Sequence, residues 1–218
     1  MSTPAKPPKP LRADAERNRQ LLLDAAKELF AERGLHVSLD DIAKRAGVGV
    51  GTAYRRFSSR SELIEALFDE RIDQMVELGE ECLEIDDPWD GLVAFIERST
   101  ELQSSDRGLK EILLGSGEGK EKIAEIRERM RPIGSELVER AKESGDLRSD
   151  FVPQDLPMIQ IMLGGVADAS ATVAPGLWRR YLELLLIGMR AGGEGGRPPL
   201  EWDQMVEVLN CWRPPRRD

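Results

Sequence analysis

Cysteine is almost missing from this chain: Cys82 and Cys211 are the only two among 218 residues. They lie far apart and outside any C-x-x-C spacing, which argues against a disulfide framework and against a cysteine-rich zinc site. Histidine is scarcer still. The lone His36 leaves no second imidazole for a metal cluster or a catalytic pair, so no metal and no cofactor is expected. Long apolar runs are also wanting. The best, LPMIQIMLGGVADASATVA at 156–174, approaches membrane-spanning length but carries Gln160 and Asp168. That is the pattern of a helix buried on more than one side rather than of a lipid span. The N-terminal MSTPAKPPKPLRADAERNRQ is polar and proline-rich where a signal peptide would be apolar, so a cytoplasmic location and no membrane partner are expected. Nor does any run alternate apolar and polar residues over strand length beside a hairpin signal, and the expected fold class is all-α.

What is present is charge, unevenly placed. Apolar residues are 40% and charged residues 33% of the chain, a balance that suits a globular protein of one large or two modest domains. The net charge of −9 hides a division: residues 1–60 hold 12 Lys/Arg against 7 Asp/Glu, a net of +5, and the remainder carries −14. A cationic head on an acidic body suits a polyanionic partner. Chance clustering on solvated helix faces would give the same count.

Periodicity organises the head into short helices. The first starts near Asp14, buries Leu22, Ala25, Ala26, Leu29 and Phe30 at helical spacing, and stops at Gly34. Ser38 is the natural N-cap of a second helix whose inward stripe is Leu39, Ile42, Ala43 and Ala46. A third runs from about Val50 to Phe57, and Ser59 with Glu62 forms a capping box opening a fourth. Glycines at 47, 49 and 51 crowd the turn between the second and third helices. Each costs about 1 kcal/mol relative to alanine inside a helix. Gly47 can take the left-handed turn conformation, whereas Gly49 and Gly51 leave the tip of the third helix bare, so that phosphates or base edges can approach its free N–H groups. Two short helices joined this tightly, the second small at its start and basic at its end, form a helix-turn-helix.

These residues carry a specific resemblance. LLLDAAKELFAERG followed by SLDDIAKRAGVGVGTAYRRFSSRSELIEALF, over residues 12 to 68, resembles the DNA-binding domain of the TetR family of bacterial transcriptional regulators. The resemblance implies an all-α homodimer, each subunit with a three-helix head and a larger C-terminal ligand-binding and dimerisation domain. It also implies repression of an inverted-repeat operator in double-stranded DNA, relieved by a small-molecule effector; a ligand-independent repressor or an activator of the same fold stays open. The domain boundaries expected are a flexible basic arm at 1–11, the head at 12–58, the helical body at 59–191, a linker at 192–199 and an amphipathic helix at 200–212. Ala53 departs from the family, where a larger apolar residue is commoner.

Roles follow residue by residue. Thr52 is placed to touch a phosphate or a thymine methyl, Val50 a methyl group only, and Gly49 and Gly51 to admit the backbone closely. Tyr54 resembles the family's phosphate-contacting tyrosine, with a ring able to pack while its hydroxyl reaches out. Arg55 and Arg56 are the candidates for charge contacts, one of them able to fork onto guanine O6 and N7. Arg60 matches the family's basic phosphate clamp, Ser38 combines capping with a phosphate bond, and Lys44 is a further contact. For every one of these the plainer alternative is a solvated helix residue.

The body is less specific. Asp87 and Pro88 open a helix; Ile123, Ile126, Met130, Ile133 and Leu137 step along another, in which Pro132 predicts a kink; a short helix is expected around 109–114. Two late helices, about 155–173 and 176–190, are apolar around much of their circumference, and a second apolar face must be covered. By resemblance the cover is the same pair in a second subunit, with Ile159, Leu163, Val166, Trp178, Tyr181, Leu182, Leu185 and Met189 at the dimer interface. A thicker monomer core is the alternative. Phe95, Leu113, Met130 and Met162 are the candidates for lining an effector site. Trp202, Met205, Val206, Leu209 and Trp212 form the stripe of the last short helix. No nucleophile in a recognisable setting and no phosphate-cradling loop after a strand supports an enzyme. A helical homodimeric interaction scaffold is the competing class, and it would need no basic helix-turn-helix.

Overall fold

The computed structural model describes residues 10–34, 36–105, 120–193, 195 and 197–211. Within them the regular elements are helices: α1 (Pro10–Arg33), α2 (Leu39–Ala46), α3 (Val50–Arg56), α4 (Arg60–Leu83), α5 (Pro88–Ser105), α6 (Lys120–Glu143), α7 (Asp155–Ser170), α8 (Leu177–Met189) and α9 (Trp202–Cys211). An isolated antiparallel bridge joins Leu147 and Arg190. The chain divides into two compact units, Met1–Asp69 and Glu70–Asp218. The short helix expected at 109–114, and with it Leu113, lies outside the described residues, as do the first nine residues and Trp212.

The first unit closes on a single core. Leu22, Ala26, Phe30, Ile42, Ala43, Ala53 and Leu63 are completely buried in it. Each large apolar side chain so buried is worth about 1.5–3 kcal/mol. Ala53 shows why a small residue suits the third helix: its methyl already has no exposure. Phe57 is buried, and the Arg19 guanidinium lies over its ring, 5.8 Å from the centroid. Arg45 ties α2 to α1 through ion pairs of 3.0 Å to both Glu28 and Glu32. Leu63, Ile64 and Leu67 of α4 are buried as well, and the unit runs to Asp69, past the boundary expected at residue 58.

Local signals act where their chemistry requires. Ser38 caps α2, its Oγ accepting from the Asp41 N–H at 3.2 Å. Gly47 ends that helix at φ 65°, a conformation costly for any residue with a Cβ. At the start of α4 the Glu62 N–H donates to Ser59 Oγ at 3.1 Å, one half of the capping box. The return half lands one residue early: the Glu62 carboxylate accepts from the Ser58 N–H and the Ser58 hydroxyl, each at 2.6 Å. These bonds hold its carboxyl below the usual range.

In the second unit α5, α6, α7 and α8 share a core that includes Leu92, Ile96, Val138, Leu163, Trp178 and Leu182. The helix α6 passes through Pro132 as one continuous element. The chain leaving α8 is fastened rather than loose. The Arg148 N–H donates to the Met189 carbonyl at 3.0 Å and the Ala191 N–H to the Asp146 carbonyl at 2.8 Å. Arg190 pairs with Asp146 at 2.5 Å and stacks 3.9 Å over the Trp89 ring. Asp150 then accepts from Arg148 and from the Gly195 N–H at 2.8 Å. The Arg148 guanidinium, with help from that N–H, lowers the Asp150 carboxyl to about 2. At Gly195 the linker expected at 192–199 is thus tethered to Asp150 as a strap.

Candidate nucleic-acid interface and effector cavity

Three glycines at the helix-turn-helix have two different explanations. Gly47 is fixed by its own backbone at φ 65°. Gly49 and Gly51 are not: neither has positive φ, a Cβ at Gly51 would meet nothing within 4 Å, and one at Gly49 would meet only Thr52 Oγ1 at 3.9 Å. Neither strain nor internal packing calls for glycine there. The positions lie open at the tip of α3, where only an outside surface would feel a missing side chain.

The side chains beyond that tip are exposed and mostly cationic. Arg55 and Arg56 end α3 in solvent, and Lys44 is exposed on α2. The Arg55 Nη2 donates to Thr52 Oγ1 at 3.0 Å, which pre-sets the pair along one face. Tyr54 is half exposed. The charge of Asp40, and a hydrogen bond to its carboxylate, raise the Tyr54 hydroxyl above its ordinary range, so it remains a neutral donor. Val50, at the first position of α3, is partly exposed, an apolar point among polar ones. Ser38 is exposed but occupied: besides capping α2, its hydroxyl donates to Asp41 at 2.5 Å. Arg60 is half-buried, its Nε donating to the Val37 carbonyl at 2.7 Å. The loop before α2 and the start of α4 are therefore joined through a residue that sequence reasoning treats as a contact alone.

The second unit contains a cavity of about 130 Å³. Phe95 and Gln103 reach it from α5, Met130, Arg131 and Gly134 from α6, Leu156, Gln160 and Ile161 from α7, with Met75 of α4. Trp202, Met205 and Leu209 of α9 line it as well, and the cavity is partly open to solvent. The lining is mainly apolar with a polar end: Gln103 is buried, and Gln160 donates to Ser99 Oγ at 2.8 Å. The volume is near that of a cavity able to take a benzene-sized molecule, about 150 Å³. No group of His, Cys, Asp and Glu among the described residues is arranged to hold a metal ion.

Comparison with known proteins agrees with both units. The family model "Bacterial regulatory proteins, tetR family" matches residues 22–67, and "Transcriptional regulator SbtR-like, C-terminal domain" matches 87–191. The chain belongs to the TetR family of bacterial transcriptional regulators. An HTH-type transcriptional regulator of Staphylococcus aureus is 46% identical over 67 residues, 29% of this chain and 35% of that protein. The chain thus spans about a third of that relative's length. The fatty acid metabolism regulator protein of Bacillus subtilis is 29% identical over 158 residues, 69% of this chain and 80% of that one. Among solved structures, a TetR transcription regulatory protein from Mycobacterium vanbaalenii superposes with a TM-score of 0.60 at 28% identity, covering 83% of this chain and 99% of that one. The TetR family is one of regulators rather than enzymes. No helix among the described residues is long and apolar enough to cross a membrane.

Within this TetR fold the body residues expected from sequence divide. Phe95 and Met130 line the cavity. Met162 does not: it is 51% exposed, one position along α7 from the cavity-lining Ile161 and therefore turned about 100° from it. The expected dimer residues need the same correction. Ile159, Leu163, Trp178, Leu182 and Met189 are buried in the subunit's own core, and Val166 and Leu185 pack partly against it. On α7 and α8 the exposed large apolar side chains are Met162, Tyr181, Leu184 and Ile187, so of the expected residues Tyr181 alone is largely exposed. Sequence periodicity finds two apolar faces on α7 and α8 without saying which one turns inward. It also misses Gln103, Arg131, Gln160 and the α9 wall as cavity residues. The α9 stripe was legible in its spacing of three and four; what it packs against was not.

Proposed function

We propose that this protein is a homodimeric, cytoplasmic repressor that binds an inverted-repeat operator through α3 and is released by a small, largely apolar effector held in the cavity of the second unit. The observation that carries the DNA side is the pair Gly49 and Gly51, which nothing inside the chain requires, placed beside Thr52, Tyr54, Arg55 and Arg56 on an exposed surface. Base reading falls to Thr52, Arg55 and Arg56. Tyr54, Lys44 and Ser38 serve the phosphate backbone, and Arg60 supports it from behind.

Met162 with Tyr181, Leu184 and Ile187 forms the dimer face, since large exposed apolar side chains at helical spacing on α7 and α8 need cover. Two recognition helices then enter major grooves about 34–36 Å apart. For the effector, the lining favours an apolar body with one polar group directed at Gln103 and Gln160. The similarity to a fatty acid metabolism regulator is compatible with such a molecule.

Selection of bound fragments from genomic DNA tests this reading. An enriched palindromic motif, bound with log affinity falling by about 0.9 per neutralised phosphate as log salt rises, is the expected result. Recovery of no motif at low salt would favour the interaction scaffold. The effector acts only through its differential affinity for the DNA-bound and free states, so a molecule that raises the melting temperature but leaves operator affinity unchanged is not the effector.

A further inference from the structure

Among the described residues lining the cavity, Arg131 alone is charged, and it is exposed, its guanidinium 4.9 Å from the Trp202 ring. The buried polar groups are neutral amides. Gln103 on α5 is 6% exposed, and among the described residues no hydrogen bond reaches its side chain. Gln160 on α7 is half-buried and makes one bond, from its Nε2 to Ser99 Oγ at 2.8 Å. Ser99 is completely buried, one helical turn before Gln103 on the same face of α5. It decides which way the Gln160 amide faces. The Ser99 hydroxyl lies 2.6 Å from the Phe95 carbonyl oxygen and 3.3 Å from that of Ile96, and a carbonyl can only accept. Its single proton is therefore committed to the backbone, and Ser99 Oγ can only accept from Gln160. That turns the NH2 group of Gln160 toward Ser99 and leaves its carbonyl Oε1 without a partner among the described residues. An acceptor oriented by the α5 backbone thus shares the cavity lining with the unused amide of Gln103, which offers both a donor and an acceptor.

We propose that the cavity selects a neutral alcohol or phenol, a mainly apolar molecule whose hydroxyl donates to Gln160 Oε1 and accepts from the Gln103 amide; this names the ligand class for the effector reading and rests on it. A hydroxyl carries donor and acceptor on one oxygen, so it satisfies both groups at once. An ether accepts without donating and leaves Gln160 Oε1 facing a lone pair. A hydrocarbon replaces neither bond that water makes to such amides, so displacing that water costs affinity. A carboxylate brings acceptors and a charge, and it finds no cation among the buried lining residues. The volume of about 130 Å³ suits a single ring, and because the cavity is partly open a longer apolar tail need not be enclosed.

Isothermal titration calorimetry of the full chain at neutral pH compares para-ethylphenol with ethylbenzene, para-ethylanisole and the para-ethylbenzoate anion. The phenol should bind about 10-fold more tightly than each of the other three. In Gln103→Leu and in Gln160→Leu its lead over ethylbenzene should shrink to about 2-fold, while ethylbenzene itself binds as before or better. Gln103→Met and Gln160→Met repeat the measurement should the leucine variants not fold. Equal binding of phenol and hydrocarbon means that the amides hold water only and overturns the proposal, as does binding of none of the four or a lead that survives both glutamine changes. Tighter binding of the benzoate, lost in Arg131→Ala, overturns it in favour of an anionic ligand held at the rim. Operator affinity separates the two claims. If the phenol binds with the expected preference but leaves operator affinity unchanged, the effector reading fails while hydroxyl recognition stands. If the hydrocarbon or the benzoate releases operator as well as the phenol does, the effector reading stands and the hydroxyl class fails.

Discussion

The first unit has just enough apolar surface for one core, and the second has more than one core can use. In residues 1–69 Leu22, Phe30, Ile42, Leu63 and Leu67 are buried, and what α3 leaves outside is Val50, Tyr54 and small or cationic residues. In residues 70–218 Leu163, Trp178 and Leu182 are buried while Met162, Tyr181, Leu184 and Ile187 remain outside on the same two helices. The contrast teaches where each unit meets a partner. On the reading proposed above, a polyanion is met by bare backbone and charge, which carry little burial energy and much salt dependence. On the same reading a second copy of the chain is met by surplus apolar area, worth about 25 cal/mol per Å² removed from water.

The largest break in that contrast should come from charging the apolar face. Leu184→Asp with Ile187→Asp is expected to yield monomers on sedimentation and to weaken operator binding by about 100-fold or more, because two linked heads gain that much over one. Folding should survive, since both side chains are exposed. Next in size is the cationic face. Arg55→Ala or Arg56→Ala should cost about 1–3 kcal/mol of operator binding and relax sequence preference at one position per half-site, measured by competition against site variants. Melting temperature should hardly move.

The glycines sharpen the comparison inside the head. Gly47→Ala should destabilise by about 1–2 kcal/mol in denaturant unfolding, because residue 47 sits at positive φ. Gly51→Ala should instead add about 0.5–1 kcal/mol while weakening DNA binding, since the helix gains and the approach is blocked. Equal behaviour of the two would remove the external reason for Gly51. Arg60→Ala is smaller: about 1 kcal/mol of stability for its bond to the Val37 carbonyl, with affinity lowered alike for all sequences.

The smallest expected effect is on the strap. Asp150 is depressed from 3.8 to about 2 in the folded chain. Its contribution is therefore complete above the unfolded value and is lost as pH falls through about 2. An NMR titration of the Asp150 carboxyl should find it ionised at pH 4. In the Arg148→Ala variant, which removes the main cause, it should titrate nearer its ordinary value.

Most of the head was legible because its signals are local. Ser38, Gly47 and Ser59 each act on backbone groups within a few residues, and the tip glycines mark the turn directly. The capping box went astray only in its second half, where the Glu62 side chain chose Ser58. The body resisted for a different reason. Phe95 and Met130 line the cavity, whereas Met162 is exposed and five of the eight expected dimer residues turn into the subunit's own core.

The amino-acid order by itself determined the helices, the turn, the cationic tip and the surplus of apolar faces, because each depends on spacing along one element. Only the tertiary structure decided that Ile159, Leu163, Trp178 and Leu182 turn inward, that Arg60 braces the Val37 carbonyl, and that α9 lines the cavity. Those outcomes depend on which distant surface reaches a face first, and a helix that is apolar all round carries no mark of that choice.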